Sequence, residues 1–141
     1  LFDMAALNAM HAKMNTLLAK VGGRIDAVFF CPHTPDEACD CRKPQPGLFR
    51  QIGERYGIDL TTVPVVGDSL RDLQAGAALG CKPHLVRTGK GAATEAANVL
   101  LQVPGTVVHD DLAAFAEHLI QQERIVRGNA GQGDAALGRL D

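Results

Sequence analysis

Four residues able to ligate a soft metal, Cys31, His33, Cys39 and Cys41, fall in the pattern C-x-H-x5-C-x-C. Zn²⁺ takes thiolate and imidazole donors in a tetrahedron, and structural sites fill all four positions. Three Cys with one His is such a set, although two x-separated pairs replace the usual C-x2-C knuckle. The turn-forming residues between the ligands, Pro32, Thr34, Pro35 and Asp36, can close a loop. A Cys39–Cys41 or Cys31–Cys39 disulfide, or a chance cluster, is the competing reading. The sequence shows no secretory segment, so an oxidising compartment is not indicated.

Two further groups of residues carry charge suited to phosphate chemistry. Arg42-Lys43 follows the cysteines at once and precedes Pro44. A Lys there can neutralise phosphate oxygens as a point charge, and an Arg can grip them in a fork. A solvated basic pair is the plainer alternative. Gly67-Asp-Ser-Leu-Arg-Asp72 stands between a strand pattern and a helix pattern. Gly67 permits a tight turn close to a ligand. Asp68 would project at the strand's carboxyl end, with Asp72 one helical turn further along the same side. Carboxylates so placed suit Mg²⁺, which takes one or two of them with waters and phosphate. The alternative is that Asp68 or Ser69 merely caps the helix.

The elements that must position these groups alternate. Asp3 caps a predicted helix to about Lys20, with Met4, Leu7, Met14, Leu17 and Leu18 as its apolar stripe. Ile25 to Phe30 reads as a buried strand that ends where the cysteine loop begins. Pro46 and Gly57 bracket a second helix, with Leu48, Phe49, Ile52 and Tyr56 on its buried face. Strands follow at Val63–Val66, Lys82–Val86 and Thr106–His109. Helices follow each: from Asp72 through Leu79, over 93–101, and from Asp110 or Asp111 to about Arg124. Beyond that, 125–141 reads as a flexible tail. This alternation predicts an α/β fold, a parallel sheet with flanking helices. A small zinc-ribbon module with appended helices is the alternative. Cys81 reads as a buried hydrophobe, and His11, His84, His109 and His118 as structural.

Composition narrows the function class. The chain has 141 residues, enough for one domain with a core. A net charge of −2 with no basic stripe argues against nucleic acid, and 4% aromatics argue against base stacking. No apolar run approaches a membrane span. A cytoplasmic monomer acting on a small molecule is the expectation.

Cys31-Pro-His33, Cys39-Asp-Cys-Arg-Lys-Pro-Gln-Pro-Gly47, Gly67-Asp-Ser-Leu-Arg-Asp72 and Leu85-Val-Arg-Thr-Gly89 occur in this order. Together they closely resemble the D-glycero-D-manno-heptose 1,7-bisphosphate 7-phosphatases of the haloacid dehalogenase superfamily. The histidinol-phosphate phosphatases are near relatives. The resemblance covers roughly residues 1–124 and implies a Rossmann-like fold with an inserted zinc loop. It implies a Mg²⁺-dependent phosphomonoesterase working through an aspartyl-phosphate. Lys43 would stabilise the phosphoryl group, Arg42 would recognise substrate and Ser69 would lie beside it. Asp68 would ligate Mg²⁺, Asp72 would support the site by orienting Lys43, and Cys31, His33, Cys39 and Cys41 would hold Zn²⁺.

The family's Asp-x-Asp-Gly nucleophile motif occurs nowhere in this sequence. Residues 1–124 are therefore expected to be the C-terminal major part of one phosphatase domain, inactive alone. Two alternatives stand beside the heptose phosphatase. One is a phosphatase for histidinol phosphate or another small phosphomonoester. The other is a non-catalytic zinc-stabilised binding module.

Overall fold

The computed structural model describes residues 3–31, 33 and 38–133. Three short strands form its sheet: β1 (Pro64–Gly67), β2 (Lys82–Val86) and β3 (Val107–His109). They are parallel and in the order β1-β2-β3, with Val66 opposite His84 and Leu85 opposite Val108. Five helices accompany them among the described residues: α1 (Met4–Ala19), α2 (Gly47–Tyr56), α3 (Leu70–Ala77), α4 (Gly91–Ala96) and α5 (Leu112–Gly133). The expected α/β architecture is present.

The core lies where α3 covers the strands. Leu73 of α3, Leu85 of β2 and Val103 are buried together, and Leu70, Ala77, Leu100 and Val108 pack around them. Parallel strands buried on both faces read as continuous apolar runs, which explains Val65-Val66 and Leu85-Val86. Leu73 and Leu85 are fully enclosed, so truncating either to Ala should cost about 2–5 kcal/mol.

Helix ends follow their local chemistry. The Asp3 carboxylate accepts the Ala5 amide and starts α1, and Asp111 accepts the Ala114 amide at the start of α5. Gly57 ends α2 in the left-handed region. Pro46 stands just outside α2, at its N-cap rather than within the first turn. The helix expected over 93–101 is instead the six-residue α4, followed by a 3-10 turn at Leu100–Gln102.

Four expectations need correction. Ile25–Phe30 carries no regular secondary structure and joins no ladder among the described residues, although its exposure alternates as a strand's does. A strand is defined by the ladder it shares with a neighbour, and the ladders among the described residues join β1, β2 and β3. The last helix does not stop near Arg124. It continues to Gly133, through part of the segment expected to be a tail. Residues 134–141 lie outside the described residues. Finally, the apolar stripe of α1 covers no core: no α1 residue is buried, and Met4, Met14 and Leu17 are exposed. Tyr56, assigned to the buried face of α2, is also exposed. Among the described residues, no helix is long and apolar enough to cross a membrane.

Candidate active site and metal centre

The four Cys and His donors come together. One ligand atom from each of Cys31, His33, Cys39 and Cys41 lies within 4.8 Å of the others. The Cys31 and Cys41 sulfurs are 2.9 Å apart, and those of Cys31 and Cys39 are 3.7 Å apart. His33 Nδ1 lies 3.2 Å from the Cys41 sulfur and 3.6 Å from that of Cys31. All three cysteines are free, so neither disulfide is present. Cys41 is buried, and its thiol donates to Cys31. That bond holds the Cys31 thiol below its ordinary range and, with burial, pushes Cys41 up to about 12. The protons that hold this cluster together are those a metal would displace, since only thiolates ligate.

The loop that follows is closed by backbone. The Gly47 amide donates to the Asp40 carbonyl at 2.6 Å, and a Cβ on Gly47 would stand 2.3 Å from that oxygen. Only glycine fits there. Cys41 at its root and Gly47 at its end therefore fix where Arg42 and Lys43 emerge. Arg42 is half-buried and Lys43 is exposed.

Lys43 reaches the turn after β1. Its Nζ is ion-paired with the Asp72 carboxylate, 29 residues away in sequence. Asp72 is 14% exposed, and its other oxygen organises the turn. That oxygen, Oδ2, accepts the Ser69 hydroxyl at 3.1 Å and the Asp68 and Ser69 amides at 3.3 Å. Burial raises the Asp72 pKa, but the Lys43 ammonium and the Ser69 donors outweigh it and hold the carboxyl below its usual range. Gly67 faces this carboxylate: a Cβ there would lie 2.5 Å from Oδ2. Ser69 is the N-cap of α3, so the plain capping role holds for Ser69.

Asp68 stands at the carboxyl end of β1, half-buried. One carboxylate oxygen, Oδ2, accepts the Lys90 amide at 2.9 Å. Its other oxygen has no protein partner among the described residues. Lys43, Asp68, Ser69 and Asp72 thus gather beyond the carboxyl ends of the strands, where open α/β sheets place their ligands. Arg87, just after β2, is held by Glu95 at 2.8 Å and Asp110 at 2.6 Å.

The histidines taken as structural are not separate. His84 of β2 and His109 of β3 are buried, with Nδ1 and Nε2 2.9 Å apart. Both rings pack on Phe115, and His118 lies 5.0 and 5.6 Å from their centroids. Burial, then the neighbouring His109, His118 and Lys82, lowers His84 to about 4. His109 is lowered for the same first reason. Nothing in the sequence spacing marks this cluster, because its members come from three elements. A cavity of about 790 Å³ opens beside it, lined by Pro64, Lys82, His84, Val107, His118 and Glu123. Pro64, Lys82 and Val107 begin their strands, so this cavity is at the opposite end from Asp68.

The HAD-hydrolase-like family model matches residues 40–115. The chain is 57% identical over 122 residues to D-glycero-beta-D-manno-heptose-1,7-bisphosphate 7-phosphatase of Bordetella bronchiseptica, covering 86% of this chain and 67% of that protein. It is 50% identical to the protein of the same name in Pseudomonas aeruginosa, covering 85% of this chain and 66% of that protein. A crystal structure of D,D-heptose 1,7-bisphosphate phosphatase from B. bronchiseptica, complexed with magnesium and phosphate, matches with a TM-score of 0.82 at 57% identity. It covers 86% of this chain and 66% of that one. A Burkholderia thailandensis structure of the same enzyme matches with a TM-score of 0.68 at 57% identity, covering 85% of this chain and 66% of that one. The chain thus spans about two thirds of the length of the relatives it matches. By family match, by identity and by fold, the chain belongs to the HAD-like hydrolases, among the heptose-1,7-bisphosphate 7-phosphatases.

Proposed function

We propose that the chain carries the cation and phosphoryl-stabilising half of a phosphomonoesterase that removes the 7-phosphate of D-glycero-D-manno-heptose 1,7-bisphosphate. One observation carries this: Lys43, from the cysteine-rooted loop, meets Asp72 beside Asp68 at the carboxyl end of β1. The names of the relatives supply the substrate class.

Asp68 offers one unengaged carboxylate oxygen, which fits Mg²⁺ held mostly by waters and phosphate. Bound there, the ion would offset charge on the phosphoryl oxygens. The Lys43 ammonium would do the same, and its pairing with Asp72 fixes where it points. Arg42 is placed to fork onto substrate oxygens, and Ser69 lies next to them. The phosphoryl group passes to a carboxylate as its bond to the C7 oxygen breaks and the sugar leaves as the alcohol, and water then releases it from the carboxylate as inorganic phosphate. That carboxylate is assigned to no residue of this chain, which lacks Asp-x-Asp-Gly. The three sulfurs and one imidazole nitrogen fit Zn²⁺, whose part is to brace the loop that presents Arg42 and Lys43.

The test uses the protein expressed from its complete reading frame, with Mg²⁺. Phosphate release from heptose 1,7-bisphosphate should exceed that from histidinol phosphate. Lys43→Ala should lower kcat by roughly 100-fold, a far larger effect than the loss of its ion pair with Asp72 has on the melting temperature. A preference for histidinol phosphate would replace the substrate. No release from any phosphomonoester would leave a zinc-stabilised binding module.

A further inference from the structure

Asp68 is held from two directions by one short segment after β2. The Lys90 amide donates to its carboxylate oxygen Oδ2 at 2.9 Å. The Thr94 hydroxyl lies 2.9 Å from the Asp68 main-chain carbonyl and 3.1 Å from the Lys90 carbonyl. Thr94 is the residue that does not fit its surroundings by propensity. It sits inside Gly-Ala-Ala-Thr-Glu-Ala, a helix otherwise suited to small residues, and β-branched Thr is a poor helix former. The contact to Asp68, 26 residues earlier, gives it a reason to be there.

The segment that carries these donors is itself fixed. Arg87 pairs through two nitrogens with Glu95 of α4, at 2.8 and 3.1 Å, and through a third with Asp110. Gly89 adopts φ +58°, and a Cβ on it would stand 2.3 Å from Asp68 Oδ2. A Cβ on Gly91 would meet the Val86 carbonyl at 1.6 Å. The turn is therefore pressed against both the end of β2 and the Asp68 carboxylate, with no slack for another side chain.

We propose that Thr94 is a positioning residue: with the Lys90 amide, its hydroxyl fixes Asp68 so that Oδ1 alone is presented to a divalent cation. The inference rests on Asp68 as the cation ligand of the proposed function. Partners that orient a ligand set its affinity, and their loss commonly weakens metal binding 10- to 100-fold. A carboxylate with one oxygen committed to an amide ligates through the other, which suits the strict octahedron of Mg²⁺.

The experiment is a Mn²⁺ titration followed by electron paramagnetic resonance, without substrate, on the protein from its complete reading frame. Thr94→Val, Thr94→Ala, Thr94→Ser and Asp68→Asn are compared, with thermal melting to verify the fold. Thr94→Val and Thr94→Ala should weaken Mn²⁺ binding about tenfold, and Thr94→Ser should restore it to within about twofold. In turnover, the Mg²⁺ concentration for half-maximal rate should rise for the Val and Ala variants more than kcat falls. If Asp68→Asn weakens Mn²⁺ and both Thr94 variants bind it as the parent does, the positioning role is wrong and the ligand assignment survives. If Asp68→Asn binds Mn²⁺ unchanged, the ligand assignment fails and takes the inference with it.

Discussion

Acidification should destabilise this protein through its histidine pair before Asp72 titrates. His84 is 5% exposed, shares a 2.9 Å contact with His109, and titrates near 4 instead of 6.5. Charged and titratable groups face it from β2 (Lys82), β3 (His109) and α5 (His118), and Glu123 shares the adjoining cavity. Two facing imidazoles share a single proton between the near nitrogens, so a second proton there meets both repulsion and a desolvated site. Below pH 6.5 the unfolded chain takes up a proton at His84 that the folded chain refuses. The stabilisation is therefore complete above 6.5 and is lost as pH falls toward 4. At 1.36 kcal/mol per pKa unit, the shift corresponds to about 3 kcal/mol, an upper bound because the cavity admits water to one edge of the ring. Asp72 is depressed below 3.8 and loses its contribution only beneath that value, so the two windows separate. Urea unfolding monitored by circular dichroism between pH 7.5 and pH 4.5 measures the effect, with His84→Gln as the non-titrating comparison. The parent should lose stability steeply across this range, and His84→Gln should lose markedly less. A flat parent profile, or the same slope in both proteins, would refute the assignment.

Cys39→Ser should drop zinc below one ion per chain by mass spectrometry and lower the melting temperature. Structural zinc contributes roughly 10–16 kcal/mol of apparent binding free energy in small peptides. Chelation of the parent should reproduce both changes, and one zinc retained in Cys39→Ser would break the ligand set. Asp72→Asn removes the charge that holds Lys43 and weakens acceptance of three donors. It should cost about 1–3 kcal/mol in chemical denaturation and lower kcat more than it changes KM. Gly89→Ala places a methyl group against the Asp68 carboxylate at a positive φ. The Mg²⁺ requirement should rise with it, whereas an unchanged requirement would show that Asp68 moves freely.

Local chemistry was legible because the residues that carry it are neighbours. The cysteine loop, the Arg42-Lys43 pair and the Gly67–Asp72 turn each lie within a few residues, so type and spacing alone limit what they can hold. Lys82–Val86 was readable because β-branched and apolar residues there meet a partner on each side. Ile25–Phe30 is also rich in apolar residues and alternates in exposure, yet it joins no ladder among the described residues, because pairing belongs to two segments and composition to one. The length of α5 was missed for a related reason. Gly128, Gly131 and Gly133 weaken a helix by propensity, and the preceding turns carry it through them.

Contacts across the fold are what the tertiary structure alone decided. Lys43 meets Asp72 across 29 residues, Thr94 meets Asp68 across 26, and His84 meets His109 across 25. No periodicity encodes these distances. They follow from parallel strands that carry Asp68, His84 and His109 to fixed heights, and from helices that return the chain over them. The sequence by itself determined which groups are able to bind metal and phosphate. Packing determined which oxygen of Asp68 is left without a protein partner among the described residues, where Lys43 points, and that burial holds the pKa of two histidines down.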